Sequence, residues 1–98
     1  MKEPTLSAAD VDAALVEQEL AWERVGDELA TTVELHDFAD ALAFVNKVGA
    51  AAEAANHHPD IDIRWNKVHL VLTTHDSGGL TVLDLALAAA IDRLRPLR

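Results

Sequence analysis

Three of the chain's five histidines fall in two short runs, His57-His58 before Pro59 and His75 before Asp76. Imidazole has an unperturbed pKa of about 6.5, so it can give or take a proton near neutral pH. Histidines gathered at one cleft supply both a donor and an acceptor, and groups positioned this way typically contribute ~10²–10⁴-fold to a rate. Carboxylates accompany them. Glu53 lies four residues before His57, and Asp84 lies nine after His75.

Each of these residues also has a plainer role open to it. His57 and His58 read as the last residues of a long helix, where the helix dipole favours a protonated ring. Glu53 and His57 fit an ordinary i, i+4 helical pair. Asp84 stands three residues after Thr81, which is capping-box spacing. A three-ligand zinc set of Glu53, His57 and His75 is the other chemical reading. The pattern favours acid–base use, because no HExxH pattern, thiolate set or paired-carboxylate set is present. His36 and His69 fit exposed strand positions. Ser7 and Ser77 are the only serines, and neither sits in a nucleophile motif. Gly78-Gly79 is too short to cradle a phosphate.

Apolar periodicity predicts the elements that hold these residues. Ser7 caps a helix over about 8–19. A short strand over Leu20 to Arg24 precedes the Gly26-Asp27 turn. A second strand runs through Leu29 to His36, with Leu29, Thr31, Val33 and Leu35 on one face. Asp37 opens a long helix whose inner stripe is Phe38, Ala41, Leu42, Val45, Val48, Ala52 and Ala55. Pro59 disfavours helical geometry at His58 and so ends it. Ile61, Ile63 and Trp65 alternate along a third strand. Asn66-Lys67 turns the chain into a fourth, with Val68, Leu70 and Leu72 in phase. Thr81 starts a last helix with Leu83, Leu87, Ala90, Ile91 and Leu94 inward. The order α-β-β-α-β-β-α, with hairpin-type links, predicts an α+β fold: a four-stranded antiparallel sheet with helices packed on one face. The two histidine runs then meet at one edge of the sheet.

Composition narrows the partners. The 98 residues suit one domain, 1–98, in which folding buries only ~60–65% of the unfolded surface, so oligomerisation would help. There is no cysteine, hence no disulfide framework and no thiol nucleophile. Residues 1–40 hold eleven of the seventeen acids against two bases, Lys2 and Arg24. That surface repels phosphate backbones, so nucleic acid is not an expected partner. No stretch approaches the ~20 apolar residues of a membrane span, and no apolar run follows the first residues. The expectation is a soluble, cytoplasmic protein without membrane association.

With the elements in place, the run Glu53-Ala-Ala-Asn-His57-His58-Pro59 resembles the signature of the pterin-4a-carbinolamine dehydratases. Five residues separate Pro59 from Trp65, nine separate Trp65 from His75, and eight separate His75 from Asp84. The stretches Trp65-Asn66-Lys67-Val68, Thr74-His75-Asp76 and Gly79-Leu80-Thr81 are also similar. The resemblance is strong from about Phe38 to Ile91 and weaker through Trp22. One departure is Ile61-Asp62, where many animal members carry an aromatic pair.

The resemblance implies the same α+β fold and a homodimer or homotetramer. It implies a lyase that dehydrates 4a-hydroxytetrahydropterin (4a-hydroxytetrahydrobiopterin) to quinonoid dihydropterin, recycling the cofactor of an aromatic amino-acid hydroxylase. It implies no metal and no organic cofactor, the pterin being the substrate. His57, His58, His75 and Asp84 are its catalytic residues. His57 and His75 exchange protons with the 4a-hydroxyl and a ring nitrogen, His58 orients the pterin and Asp84 positions a histidine. Glu53, Pro59, Trp65 and Thr74 line the substrate site. Animal members also serve as dimerisation partners of a homeodomain transcription factor, so a non-catalytic binding module of the same fold is the alternative.

Overall fold

Local capping sets where the helices begin. The Ser7 hydroxyl accepts the Asp10 N–H and starts α1 (Ala8–Glu17), and Asp37 accepts the Asp40 N–H and starts α2 (Phe38–Ala55). Thr81 closes a capping box with Asp84 and starts α3 (Val82–Asp92). Between them lie β1 (Glu23–Val25), β2 (Glu28–Glu34), β3 (Asp60–Arg64) and β4 (Lys67–Leu72). This computed structural model describes residues 2–96.

The strands form one antiparallel sheet in the order β1-β2-β4-β3, which is the expected α+β arrangement. Leu29, Thr31 and Val33 of β2 lie opposite Leu72, Leu70 and Val68 of β4. All six are buried, so this face is the floor of the core. The three helices cover it with Val11 from α1, Ala41, Phe44, Val48 and Ala52 from α2, and Leu85, Leu87, Ala88 and Ile91 from α3. Fully burying one large aliphatic side chain stabilises by ~1.5–3 kcal/mol. The other face carries the alternate residues, among them Thr32, Glu34, Lys67 and His69, and stays polar.

Several expected details shift. The α2 stripe is rotated: Phe44 is buried, while Phe38 and Leu42 are 44% and 42% exposed. On α3 the fully buried positions are Asp84, Leu85, Leu87, Ala88 and Ile91, with Leu83, Ala90 and Leu94 at the margin. The first strand begins at Glu23 rather than Leu20, because Glu19 takes a left-handed backbone that redirects the chain after α1. Trp22 instead plugs the core just before β1, its Nε1 donating to Asp92 Oδ1 at 2.8 Å. Arg24 clamps Asp12 of α1 at 2.8 Å, and this hydrogen-bonded pair holds the Asp12 carboxyl below its ordinary range. Ahead of Ser7 the chain is tied down at Glu3 and Leu6: Ser77 Oγ donates to the Glu3 carbonyl and Leu6 N–H to that of Leu80.

Candidate active site

The expected helix through His58 stops three residues earlier. Asn56 adopts the left-handed conformation at φ 49° and caps α2, its N–H reaching back to the Ala52 and Glu53 carbonyls. Asparagine tolerates this conformation better than most residues, which makes it a natural helix terminator. The turn sends the two histidines opposite ways. His57 points inward with its side chain only 11% exposed, and Nε2 lies 2.6 Å from Asp84 Oδ1. His58 points outward and pairs through Nε2 with Glu53 Oε2. The i, i+4 pairing of Glu53 with His57 is therefore replaced by Glu53 with His58. Glu53, His57 and His75 do not converge as three metal ligands. Among the described residues, the acidic and histidine side chains whose ligating atoms converge are His36, Asp37 and Asp40, on the exposed surface at the start of α2.

Asp84 is completely buried, and its two oxygens have different jobs. Oδ2 accepts the Thr81 N–H at 2.9 Å, which is the capping-box bond, and the Thr74 hydroxyl at 2.7 Å. Oδ1 faces His57. Capping and a tie to the histidine, which look like alternatives in the sequence, are both performed by one carboxylate. An ionised carboxylate can only accept, so His57 Nε2 carries the hydrogen, and the neutral ring presents a bare Nδ1. This tautomer follows from the hydrogen-bond network.

His75 directly follows Thr74 and is exposed. It sits in a 3-10 turn, His75–Ser77, closed by the bridge between Thr74 and Gly79. Gly78 takes φ 76° to complete that turn, a conformation that glycine adopts without steric cost. The bonds from Thr74 and His57 to Asp84 thus bring both histidine runs to the edge where β3 begins, β4 ends and α3 starts. Half-buried Pro59 links His58 to the first residue of β3.

Trp65 is not brought there. It occupies the two-residue turn between Arg64 and Lys67, at the opposite end of β3, roughly 15–17 Å away at the usual rise per residue. It is 67% exposed, with φ 55°, so its ring leaves the face shared by Ile61 and Ile63. The turn is anchored by Asn66, whose Nδ2 donates to the Leu35 carbonyl at 2.9 Å. Thr74 is placed behind Asp84 rather than at the surface. Sequence reading missed Thr81 as anything beyond a cap. A groove of about 360 Å³ opens elsewhere, beside Trp22, Glu23, Thr32 and His69. His57, His58 and His75 do not line it.

The family model described as pterin 4 alpha carbinolamine dehydratase matches residues 4–94. The chain belongs to the pterin-4a-carbinolamine dehydratase family. A Chloroflexus aurantiacus protein, provisionally named a pterin-4-alpha-carbinolamine dehydratase, is 53% identical over 91 residues, covering 93% of this chain and 97% of its own. Among solved structures, a transcriptional coactivator/pterin dehydratase from Brucella melitensis superposes with a TM-score of 0.86 at 26% identity, covering 94% of this chain and 99% of that one. A pterin dehydratase-like protein identified as a RuBisCO assembly factor of the alpha-carboxysome shares the fold at a TM-score of 0.67 and 23% identity, over 83% of this chain and 96% of that one. In this pterin-4a-carbinolamine dehydratase family member no helix, among the described residues, is long and apolar enough to cross a membrane.

Proposed function

We propose that this protein is a hydro-lyase that converts 4a-hydroxytetrahydropterin to quinonoid dihydropterin and water. The observation that carries this reading is the buried Asp84 carboxylate holding His57 through Nε2, next to His58 and His75 at one sheet edge. A protonated imidazole gives its proton to the 4a-hydroxyl, and the C4a–O bond breaks as water departs. The lone pair of the adjacent ring nitrogen forms the new C=N bond, and a neutral imidazole takes that nitrogen's proton. No electrons are exchanged with a second reactant, so general acid–base chemistry suffices.

His57 and His75 fill the two proton-transfer roles in this proposal. His58, steadied by Glu53, orients the pterin, and Pro59 shapes the approach. The reaction needs neither metal nor organic cofactor. It would recycle the pterin of an aromatic amino-acid hydroxylase in the cytoplasm, with the enzyme acting as a homodimer or homotetramer. The solved relative described as a transcriptional coactivator/pterin dehydratase supports a second reading, a binding module of the same fold.

One assay separates the two. The 4a-carbinolamine is generated by a phenylalanine hydroxylase in the presence of EDTA, and quinonoid dihydropterin formation is followed with wild-type protein and with His58→Ala. The expected result is acceleration that survives EDTA and falls in the variant. A folded protein that gives no acceleration refutes the dehydratase and favours the binding module.

A further inference from the structure

The geometry points to Thr74 and Thr81 as positioning residues that set the protonation pattern of His57 through Asp84. This rests on the dehydratase reading for its substrate, and on hydrogen-bond geometry for the rest. The two hydroxyls lie 2.8 Å apart, and Thr74 Oγ1 lies 2.7 Å from Asp84 Oδ2. A threonine hydroxyl has one hydrogen to give. Thr74 gives its hydrogen to Asp84, so the Thr81 hydroxyl must donate to Thr74. Thr81 Oγ1 in turn accepts the Leu83 N–H at 3.2 Å. The bonds therefore run one way: Leu83 N–H to Thr81, Thr81 to Thr74, Thr74 to Asp84.

The chain's members are hidden from solvent. Thr81 and Asp84 are 0% exposed and Thr74 is 6% exposed. Among the described residues, no buried side-chain polar atom lacks a partner. Water is thus poorly placed to replace a missing hydroxyl, and leaving a buried polar group unmade is expensive.

The consequence falls on Asp84. Two hydrogens, from Thr74 and from the Thr81 backbone, point at Oδ2, so a proton cannot settle there without displacing one of them. Any proton shared by the pair lies on the line between Oδ1 and His57 Nε2. His57 Nδ1 is left as the atom that exchanges protons with a substrate. The relay also explains why a threonine that reads as substrate-lining is turned inward: its hydroxyl is committed on both sides. Thr74 acts on the reaction through Asp84 and not by touching the pterin.

The test uses the full chain with Thr74→Val, Thr74→Ser and wild type. Nitrogen-15 NMR of the labelled histidines reports which ring nitrogen of His57 carries hydrogen, and it needs no activity. We expect a bare Nδ1 in the neutral ring of wild type. In Thr74→Val the carboxylate has lost a donor and can hold a proton on Oδ1 that donates to Nε2, so the signal becomes a mixture of tautomers, kcat falls about tenfold or more at unchanged KM, and the pH profile of kcat moves. Thr74→Ser, which restores the hydroxyl, returns all three to wild-type values. A single unchanged tautomer in Thr74→Val, or an effect on KM alone, overturns the proposal. If Thr74→Val does not fold, Thr74→Ser still decides, since a mixed tautomer there contradicts a role for the hydroxyl alone. Wild type that has a bare Nδ1 but accelerates no dehydration leaves the relay standing and removes the dehydratase reading.

Discussion

Replacing Asp84 by asparagine isolates the feature on which the site depends. The side chains have nearly the same shape, but asparagine has one acceptor atom and one donor group. Two hydrogens already point at the Oδ2 position, from the Thr81 N–H and the Thr74 hydroxyl. The amide oxygen must sit there, so the NH2 group takes the place of Oδ1 and donates toward His57. His57 Nε2 then has to accept, and the ring hydrogen moves to Nδ1. The substitution inverts the tautomer while keeping these three hydrogen bonds, and it adds a second amide hydrogen. Hydrogen bonds to a charged group are worth ~1.5–3 kcal/mol against ~0.5–1.5 for neutral ones, so three weakened bonds cost ~3–4.5 kcal/mol. A buried amide is cheaper to desolvate than a buried carboxylate, which brings the net loss to about 1–3 kcal/mol. At ~4–8 °C per kcal/mol in a domain of this size, the melting temperature falls but the protein still folds. The rate falls much further: misplacing the hydrogen of a general acid–base group removes ~10²–10⁴-fold. Asp84 is wholly buried and faces His57 and the relay, so KM should barely change. The assay is kcat and KM for dehydration in Asp84→Asn at a temperature where circular dichroism shows it folded. A kcat within threefold of wild type would refute the tautomer argument.

Four further outcomes follow from the geometry. Trp22→Phe loses the bond to Asp92 and leaves a gap in the core, costing ~1–3 kcal/mol. Trp65→Gly should stay within ~1 kcal/mol of wild type, because relief of the left-handed backbone offsets glycine's greater unfolded-state freedom. Urea unfolding of both variants checks the pair, and a larger loss for Trp65→Gly contradicts the assignment. The Asp37 carboxyl is held below its ordinary range, chiefly by the Asp40 backbone N–H, with His36 adding to it. Its folded-state pKa is depressed, so its contribution to stability is present above the unfolded value near 4 and is lost as pH falls through the lower folded value. Asp37→Asn keeps the cap acceptor without the charge, so the advantage of wild type over the variant should shrink from pH 5 to pH 2 in urea titrations, and a constant difference rejects it. Glu53→Gln breaks an exposed pair whose kind is worth ~0–1 kcal/mol. The variant should keep its melting temperature, and a fall of more than a few degrees would mean that Glu53 holds the fold.

What could be read from the sequence was whatever local chemistry decides. Ser7, Asp37 and Thr81 are caps because their own side chains satisfy N–H groups two or three residues on, and that is visible in a short window. The strands showed through alternation, and the antiparallel order through the hairpin spacing. The helix faces were harder. Phe38, Leu42 and Phe44 are all apolar, so residue type alone does not say which of them faces the core, and it is Phe44 that does. The restriction before Pro59 acts on His58 alone, whereas Asn56 stops α2 earlier by its own left-handed turn.

The wiring of the candidate site was not legible in the sequence. Thr74 continues the register of Val68, Leu70 and Leu72, three fully buried residues, so alternation alone would have turned it inward, away from a surface ligand. Trp65 continues the register of Ile61 and Ile63 in the same way, yet it lies in the turn, where alternation no longer holds. The deciding difference is backbone pairing. Thr74 is still bridged to Gly79 after β4 ends, while Trp65 lies beyond the last pair, Arg64 with Lys67. Asp84 shows why a motif read as a helix cap can also hold a histidine from another element. A capping carboxylate spends one oxygen on the helix start, and its other oxygen remains free for a partner from elsewhere in the chain. Where that partner is a histidine, the rigidity of the helix end becomes the rigidity of the imidazole. A serine or threonine cap without such a carboxylate could begin the helix equally well but could not hold His57.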